Sequence, residues 1–374
     1  MKILQISNYY APHIGGIEQV AKDVTEAIEG HEQKVFCFNH EKRNSVDIVD
    51  GVEVIRAGCF AKVASQSLSF SYGKLLKKAF KSFQPDVVIF HYPNPFAAHY
   101  LLKCLKKYPK CKLVVYWHLD ITKQKVLGKL FNGQTKRLLK RADKVLATSP
   151  NYIDGSKFLP AYREKCEVVS CCVDMSRMTV SEQDRLLAEE IKTENAGKTV
   201  CFAVGRHVPY KGLKYLVEAS KFLSDDFRIF IGGVGPLTDS LKAQAEGDHK
   251  ICFLGKLSEE ELKAHLIACD IFCFPSITKN EAFGIALAEA MSFGKPAVTF
   301  TINGSGVNYV SLDGVTGIEV ENGNAEAYAK ALQKLASDSA LREEYGRAAK
   351  KRVEDLFTEE VFQNKINQIV SSLS

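Results

Sequence analysis

Four charged residues stand out for the chemistry that their types and spacing allow. Glu281 and Glu289 are eight positions apart in the segment Glu-Ala-Phe-Gly-Ile-Ala-Leu-Ala-Glu. On a helix this spacing is about two turns, so both carboxylates are expected near one face. Arg206 and Lys211 lie about seventy residues earlier. Fixed cations suit a diphosphate and carboxylates suit the hydroxyls of a sugar or a ribose, so the set favours a nucleotide-sugar site.

The run 200–205 should place the two cations. It reads Val-Cys-Phe-Ala-Val-Gly, a pattern typical of a buried strand in a parallel sheet. Ligands of open α/β sheets bind beyond the carboxyl ends of the strands. Arg206 and Lys211 are therefore expected at a ligand crevice.

The whole chain shows two series of such strands, separated by helical patterns. This alternation predicts α/β domains with doubly wound parallel sheets. A charged segment, 181–198, lies between the series and reads as a linker helix or loop. The predicted strands are 2–7, 35–38, 52–56, 87–92, 113–117, 145–148 and 168–170, then one from 200 and 227–231, 251–254, 271–274, 297–300 and 318–320.

Further candidates follow the first series of strands. Gly15 and Gly16 open a helical pattern, and a glycine pair there lets backbone N–H groups approach an anion. His118 and Asp120 follow the strand 113–117. His118 is either a general base or a group that stabilises the sugar, by a side-chain hydrogen bond or through its backbone carbonyl. Asp120 either orients His118 or contacts an acceptor.

These motifs together resemble the retaining glycosyltransferases of family 4 (glycosyltransferase group 1). The resemblance rests on Met1-Lys-Ile-Leu-Gln-Ile-Ser7, Gly15-Gly16-Ile-Glu18, Trp117-His118-Leu-Asp120 and the carboxylates Glu281 and Glu289, and covers nearly the whole chain. It implies the GT-B fold, in which two Rossmann-like domains face a cleft. The expected division is an acceptor-binding domain 1–190, a nucleotide-sugar-binding domain 191–352 and a helical tail 353–374 that crosses back to the first domain.

The resemblance also implies roles for the residues. Arg206 and Lys211 would neutralise the leaving diphosphate, Glu281 would bind sugar hydroxyls and Glu289 would hold the ribose. Catalytic roles are expected for His118, Arg206, Lys211 and Glu281, and acceptor-side roles for His118 and Asp120. The expected donor-binding set is Gly15, Gly16, Arg206, Lys211, Lys256, Glu281, Ala282, Phe283, Gly284, Ile285 and Glu289.

The expected reaction is transfer of a hexose, with retention, to a lipid-linked or polysaccharide acceptor in surface-glycan synthesis. The wording Trp-His-x-Asp-Ile and Gly314-Val-Thr-Gly317 resembles transferases of mannose or rhamnose and favours GDP-mannose. A UDP-sugar, a deoxyhexose donor or a nucleotide-sugar epimerase on the same fold are the alternatives. An NAD-dependent dehydrogenase is disfavoured because no strand leads into a G-x-G-x-x-G loop followed by an acid.

Charge is unevenly distributed along the chain. Residues 1–180 carry 28 Lys and Arg against 16 Asp and Glu, a balance of +12, and the remainder carries 22 against 28, a balance of −6. The membrane-side candidates Lys74, Lys77, Lys78 and Lys81 surround an apolar stripe, and a basic run extends from Lys103 to Lys144. This favours peripheral contact with an anionic membrane or a merely solvated face, and no nucleic-acid module accompanies it.

Three absences complete the expectations. No apolar run is long enough to span a bilayer and Met1 leads directly into a strand, so a cytoplasmic protein is expected, possibly peripheral on the inner face of the membrane. The 11 cysteines form no C-x-x-C pair and read as buried thiols. No D-x-D or D-x-H pair stands at a strand end, so neither a metal nor another cofactor is expected.

Overall fold

A computed structural model describes residues 1–13, 15–63, 66–121 and 125–373, with the side chains of 63, 66 and 125–130 outside the description. The chain divides into two compact units. Unit 1 comprises Met1–Thr148, Ser156–Val169 and Phe362–Ser374, and unit 2 comprises Ser149–Gly155 and Ser170–Val361. Among the described residues, none of the helices is long and apolar enough to cross a membrane.

The strands follow the apolar runs closely. They are β1 (Lys2–Ile6), β2 (Glu32–Phe38), β3 (Ser45–Val49), β4 (Val52–Ala57), β5 (Ala61–Val63), β6 (Gln66–Leu68), β7 (Val87–Tyr92), β8 (Lys112–Trp117), β9 (Lys144–Ala147), β10 (Cys166–Val168), β11 (Thr199–Val204), β12 (Phe227–Gly232), β13 (Ile251–Gly255), β14 (Ile271–Phe274), β15 (Ala297–Phe300) and β16 (Gly317–Val320).

The helices fill the connections between the strands. They are α1 (Gly16–Ala27), α2 (Tyr72–Phe83), α3 (Pro95–Leu105), α4 (Lys125–Arg141), α5 (Pro150–Gly155), α6 (Glu182–Glu194), α7 (Leu213–Ala219), α8 (Thr238–Gln244), α9 (Glu259–Ala268), α10 (Ile285–Ser292), α11 (Val307–Val310), α12 (Ala325–Ser337), α13 (Ser339–Leu356) and α14 (Glu359–Ser371).

Unit 1 contains an eight-stranded sheet in the order β10-β9-β8-β7-β1-β2-β4-β3. All neighbours are parallel except β3, which runs antiparallel to β4. The central strand β7 is buried along its whole length, which matches its continuous run of branched and aromatic residues. The sequence did not predict β3, β5 or β6. Among the described residues, β5 and β6 pair with each other as a small antiparallel hairpin.

Unit 2 contains a six-stranded sheet in the order β13-β12-β11-β14-β15-β16. Every pairing in this sheet is parallel. From β11 the chain builds outward to β12 and β13, and then returns to the other side of β11 with β14. The order therefore reverses between β11 and β14, which is where a doubly wound sheet opens its ligand crevice.

The boundary near residue 190 does not coincide with the division into units. Residues 170–190 lie in unit 2, and the predicted linker is mostly the helix α6. Ala188 of α6 packs against Ala264 and Ala268 of α9, and Asp184 of α6 forms an ion pair of 2.7 Å with Lys263. The segment belongs to unit 2 because it completes that unit's core.

The C-terminal segment is divided between the units. All of α13 and the first three residues of α14 lie in unit 2, and the chain from Phe362 onward lies in unit 1. There Asn367 Nδ2 of α14 donates to the Ala27 carbonyl at 2.8 Å, and Lys365 pairs with Glu167 at 3.2 Å.

Candidate functional site

The loops after β11 and β14 meet at the switch point of unit 2. Lys211 closes a short 3₁₀ turn, Pro209–Lys211, in the loop after β11, and Glu281 lies in the loop after β14. Their side chains form an ion pair with an Nζ to Oε2 distance of 2.5 Å. The two predicted site residues are therefore in direct contact at the place where the topology puts a ligand.

The Lys211–Glu281 pair is held from several sides. Ser276 Oγ donates to Glu281 Oε2 at 3.0 Å, and Ser305 Oγ donates to the Glu281 carbonyl. Lys211 Nζ lies 5.0 Å from the ring centroid of Phe274, within the range of a cation–π contact. Both side chains are largely shielded from water, 15% and 12% exposed. The two charges are thus fixed before any ligand arrives.

Gly212 explains why these two loops can approach so closely. Its φ is +63°, in the left-handed region that favours glycine. A Cβ at this position would collide with the carbonyl of Pro275. The backbone after Lys211 therefore lies against the backbone that leads to Glu281, and a larger residue would push the two loops apart.

Arg206 and Lys256 lie at the same edge of this sheet. Arg206 follows β11 and Lys256 follows β13, and both are exposed. Within the described part of the chain neither side chain forms an ion pair. Together with Lys211 they supply positive charge at the carboxyl ends of neighbouring strands, which suits an anionic ligand.

The prediction that Glu281 lies on the same helix as Glu289 is wrong. The helix α10 starts only at Ile285, and Glu281 precedes it in a loop. Gly284 is the N-cap with a φ of +99°, which ends the loop and turns the chain into the helix. The two carboxylates are therefore not two turns of one helix, although Glu289 lies within α10 as expected.

The N-terminus of α10 offers hydrogen-bond donors. Among the described residues, none accepts a hydrogen bond from the backbone N–H of Phe283, Gly284 or Ile285. The first N–H groups of a helix lack intrahelical partners, and the helix dipole adds positive potential there. The carbonyl of Ala282 points elsewhere, accepting from Gly306 N at 3.1 Å. The segment can therefore bind sugar or phosphate oxygens through its backbone.

Glu289 is buried and already has a cationic partner. Arg177 Nη1 donates to Glu289 Oε1 at 2.9 Å, and Arg177 Nε donates to Glu259 Oε1 at the same distance. Burial raises the pKa of Glu289, and the Arg177 charge opposes that rise. Arg177 was not predicted, because its only sequence signal was a charge ahead of a segment interpreted as a linker.

His118 takes part in a buried network in unit 1. Its Nε2 lies 2.9 Å from Nδ1 of His91, and Nε2 of His91 lies 2.9 Å from the side-chain amide of Gln5. Burial lowers the pKa of His91 to about 3 and that of His118 well below its usual value. Both rings are neutral at physiological pH. His91 was not predicted as a site residue, although a polar residue inside the apolar run 87–92 was a signal.

Asp120 is buried and hydrogen-bonded within unit 1. Trp117 Nε1 and Ser156 Oγ donate to its Oδ1 at 3.0 and 2.8 Å, and Lys157 N donates to its Oδ2 at 3.1 Å. The side chain is 3% exposed. In the described part of the chain, Nε2 of His118 is paired with His91 and not with Asp120. Asp120 fastens the segment 156–157 to the end of β8.

Gly15 and Gly16 stand at the start of α1, as the sequence predicted. Gly15 is the N-cap, and no side chain caps this helix. The loop ahead of it includes residue 14, which lies outside the described part of the chain.

The four lysines of α2 are all exposed, but the helix itself is an ordinary domain helix. Leu76, Phe80 and Phe83 are buried in unit 1. The apolar stripe is therefore not available for insertion into a bilayer. Lys74, Lys77, Lys78 and Lys81 remain as charges on the solvent face.

Comparisons with known proteins agree with this architecture. Residues 14–177 match the model of Glycosyltransferase Family 4, and residues 184–352 match that of Glycosyl transferases group 1. The chain is 33% identical over 365 residues to the D-rhamnosyltransferase WbpZ of Pseudomonas aeruginosa, covering 96% of this chain and 92% of that one. It is 29% identical to the O-antigen chain mannosyltransferase C of Escherichia coli, covering 96% and 95%.

A solved structure shows the same fold. The sucrose-phosphate synthase of Thermosynechococcus elongatus superimposes with a TM-score of 0.80 at 18% identity, covering 100% of this chain and 98% of that one. With the two doubly wound units and the whole-length match to a curated relative, the assignment is complete: this chain is a glycosyltransferase with the GT-B fold and belongs to the group 1, family 4 glycosyltransferases.

Proposed function

We propose that this enzyme transfers a manno-configured hexose from a GDP-sugar, with retention at the anomeric carbon, to a lipid-linked or polysaccharide acceptor in surface-glycan synthesis. The Lys211–Glu281 pair at the switch point of unit 2 is the observation that carries the proposal. The names of the two relatives, a D-rhamnosyltransferase and an O-antigen chain mannosyltransferase, support the sugar class, because D-rhamnose is 6-deoxymannose.

The leaving diphosphate would be stabilised by cations in fixed positions. As the glycosidic bond breaks, negative charge develops on the β-phosphate. Lys211 is already oriented by Glu281 and the Phe274 ring, and Arg206 lies on the same loop. Charges that need no rearrangement stabilise a transition state better than mobile ones. The backbone N–H groups of Phe283 and Gly284 would add donors for the donor substrate.

The two glutamates would take different parts of the donor. Glu281 lies beside Lys211, so its carboxylate would accept from sugar hydroxyls next to the diphosphate. Glu289 is held by Arg177 through Oε1, and we assign it to the ribose diol as the family resemblance implies. No step in this scheme uses a metal ion.

Transfer with retention at the anomeric carbon does not require a side chain that acts as general base on the acceptor hydroxyl. If the leaving phosphate accepts the proton of the attacking hydroxyl, no side chain has to remove it. His118 suits this scheme because burial holds its ring neutral and His91 occupies one ring nitrogen. His118 then acts on the sugar rather than on the acceptor proton.

Unit 1 would bring the acceptor and carry the enzyme to a membrane. A groove of about 630 Å³ between α3 and α4 has Leu102, Leu105 and Phe131 in its walls and the cations Lys103, Lys106 and Arg137 around it. The exposed and stacked Phe60 and Phe70 precede the lysines of α2. Cations beside apolar side chains suit the interface of an anionic bilayer.

Nucleotide release tests the proposed reaction. The purified enzyme is incubated with GDP-mannose, GDP-D-rhamnose, UDP-glucose and dTDP-glucose, with and without a lipid extract as acceptor source. We expect GDP release that depends on the acceptor, and a product whose glycosidic bond has the anomeric configuration of the donor. Release of UDP alone, or an inverted product, would reject the proposed donor or the proposed stereochemistry. An epimerase would convert the sugar without releasing nucleotide.

A further inference from the structure

The His118 network continues into the backbone of α1. Gln5 is on β1 and His91 is on β7, the neighbouring strands at the switch point of the unit 1 sheet. Gln5 is 1% exposed and His91 is also 1% exposed. Beyond Gln5 lie Thr25 and the carbonyl of Ala21, both on α1. Four buried polar groups therefore form one row, Thr25–Gln5–His91–His118.

The backbone of α1 determines which way the Gln5 amide points. With the amide oxygen toward Thr25, it accepts from Thr25 N at 3.2 Å and from Thr25 Oγ1 at 2.5 Å. The amide nitrogen then donates to the Ala21 carbonyl at 3.3 Å and to His91 Nε2 at 2.9 Å. In the reverse orientation the amide nitrogen would still donate to Thr25 Oγ1 and the amide oxygen could accept from His91. However, the nitrogen would then lie 3.2 Å from another donor, Thr25 N, and the oxygen 3.3 Å from another acceptor, the Ala21 carbonyl. An amide is assigned from its hydrogen-bond partners, so we assign the first orientation.

This orientation fixes the proton on each imidazole ring. His91 Nε2 accepts from Gln5, so the single proton of the neutral His91 ring is on Nδ1. That Nδ1–H donates to Nε2 of His118 across 2.9 Å. Because Nε2 of His118 is then an acceptor, the proton of the neutral His118 ring must be on Nδ1.

We propose that Gln5 and His91 are positioning residues that hold His118 in the Nδ1–H tautomer, so that His118 serves the transfer reaction as a hydrogen-bond donor and not as a general base. No free lone pair is left on the ring to take a proton from an acceptor hydroxyl. The Nδ1–H can instead donate a hydrogen bond to any oxygen of the nucleotide sugar, including oxygens that can only accept. The role in transfer rests on the proposed function; the tautomer itself does not.

The tautomer can be read directly from the full-length protein. Histidine labelled with ¹⁵N gives long-range ¹H–¹⁵N correlations that distinguish a protonated from an unprotonated ring nitrogen, and a His118→Asn spectrum identifies the signals of His118. We expect a protonated Nδ1 and an unprotonated Nε2. A wild-type His118 with its proton on Nε2 would overturn the proposal, whether or not transfer activity is found.

A substitution at Gln5 then tests whether the row controls the tautomer. In Gln5→Glu, an ionised carboxylate can only accept, so the protons of both rings should shift and His118 should carry its proton on Nε2. A protonated carboxyl would donate to His91 and keep the wild-type tautomer. The carbon shift of the introduced carboxyl, recorded in the same sample, shows which form is present. If the His118 tautomer does not depend on the protonation state of this carboxyl, Gln5 does not determine the tautomer.

The matched control is Gln33→Glu. Gln33 also hydrogen-bonds α1, donating to the Thr25 and Ile28 carbonyls at 3.0 and 2.9 Å, but it does not touch His91. We expect its His118 spectrum and its kcat/KM to match the wild type. For Gln5→Glu with an ionised carboxylate we expect kcat/KM to fall about 10-fold at unchanged fold, the usual scale for a lost orienting partner. Equal falls in both variants would indicate a purely structural role.

Discussion

At the scale of single residues, the donor site is defined by a cation and a carboxylate that already contact each other. Lys211→Ala removes a charge from the proposed phosphate site and also leaves Glu281 without its cation. Turnover should fall by about 10²-fold or more, as expected when a fixed stabilising group is lost from a transition state. Arg206→Ala should show a similar kinetic loss with little change in stability, because Arg206 is exposed.

Steady-state kinetics and urea unfolding separate these two effects. Lys214→Ala is the matched control, since Lys214 is an exposed lysine three positions from Lys211 whose Nζ lies 4.6 Å from the Tyr215 ring centroid. The control should keep wild-type turnover. Near-normal activity of Lys211→Ala and Arg206→Ala with the true donor would show that the diphosphate binds elsewhere.

The two glutamates should separate sugar transfer from nucleotide binding. Glu281→Gln removes the charge beside Lys211 and should lower transfer more than the affinity for bare GDP. We assign Glu289, the partner of Arg177, to the ribose. Glu289→Gln should therefore weaken GDP binding itself. Isothermal calorimetry with GDP measures the second effect without turnover. An equal loss of GDP affinity in both variants would contradict the assignment.

The buried histidines should make stability depend on pH. The pKa of His91 is lowered to about 3, so the unfolded chain takes up this proton at a much higher pH than the folded protein does. The stabilisation is therefore complete above about pH 6.5 and decreases as the pH falls, by up to about 1.4 kcal/mol per pH unit for each such histidine.

Urea unfolding between pH 7 and pH 5 measures this slope. We expect a shallower slope for His91→Asn than for wild type. A His91→Asn slope as steep as that of the wild type would show that His91 is protonated in the folded state.

At the residue scale, the sequence predicted which residues belong to the site better than which residues pair with each other. Arg206 and Lys211 were predicted from their position after a strand and Glu281 from its spacing to Glu289, and the fold places all three at the carboxyl edge of the unit 2 sheet. The ion pair of Lys211 with Glu281 and that of Arg177 with Glu289 join residues 70 and 112 positions apart. Such pairs depend on how the strands are ordered, which spacing along the chain does not reveal.

At the scale of elements, α6 is a helix that packs into unit 2, although its many charges led to its interpretation as a linker. Its first turn is fixed by a capping box in which Ser181 Oγ accepts from Asp184 N and the Asp184 carboxylate accepts from Ser181 N. The same carboxylate forms the buried ion pair with Lys263. One short side chain therefore caps the helix and attaches it to α9.

Substitution of Asp184 should destabilise the protein strongly. Asp184→Ala removes the cap interaction and leaves Lys263, whose side chain is only 13% exposed, without its carboxylate. We expect a loss of about 3 kcal/mol in the free energy of unfolding. Glu190→Ala, at an exposed position of the same helix, should stay within about 0.5 kcal/mol of wild type. Urea unfolding compares them, and equal stabilities of the two variants would contradict the structural role of Asp184.

Elements with continuous apolar runs were the most predictable. The bounds of β7, β14 and β15 coincide with the predicted strands, because buried parallel strands leave little room for polar residues. The strand β3 was missed since three of its residues are exposed and it pairs on one side only. The helical placement of Glu281 failed because Gly284 turns the chain at the start of α10, a geometry that the spacing of two glutamates does not encode.

At the scale of the whole molecule, the positive balance of residues 1–180, most of which lie in unit 1, is the basis for the proposed contact with an anionic membrane. Replacing Lys74, Lys77, Lys78 and Lys81 together by Gln should weaken binding to anionic vesicles, because each lysine near the surface contributes up to about 1 kcal/mol before screening. The matched control replaces the exposed Lys330, Lys334, Lys350 and Lys351 of unit 2 by Gln, an equal change of net charge.

Co-sedimentation at low and high salt gives the measurement. Wild type and control should bind vesicles containing anionic lipid at low salt and be released at high salt. Equal binding of all three proteins, or binding to neutral vesicles, would show that the α2 lysines are ordinary solvated residues with no role in membrane binding.

The central claim is that unit 2 holds a guanosine diphosphate sugar through the Lys211–Glu281 site. Calorimetric titration of GDP, UDP and dTDP into wild type and Lys211→Ala, with and without EDTA, tests it most directly. We predict that GDP binds the wild type most tightly, that EDTA has no effect on its affinity, and that Lys211→Ala binds GDP at least 10-fold more weakly. Tighter binding of UDP or dTDP, a requirement for a divalent metal, or an unchanged GDP affinity in Lys211→Ala would contradict it.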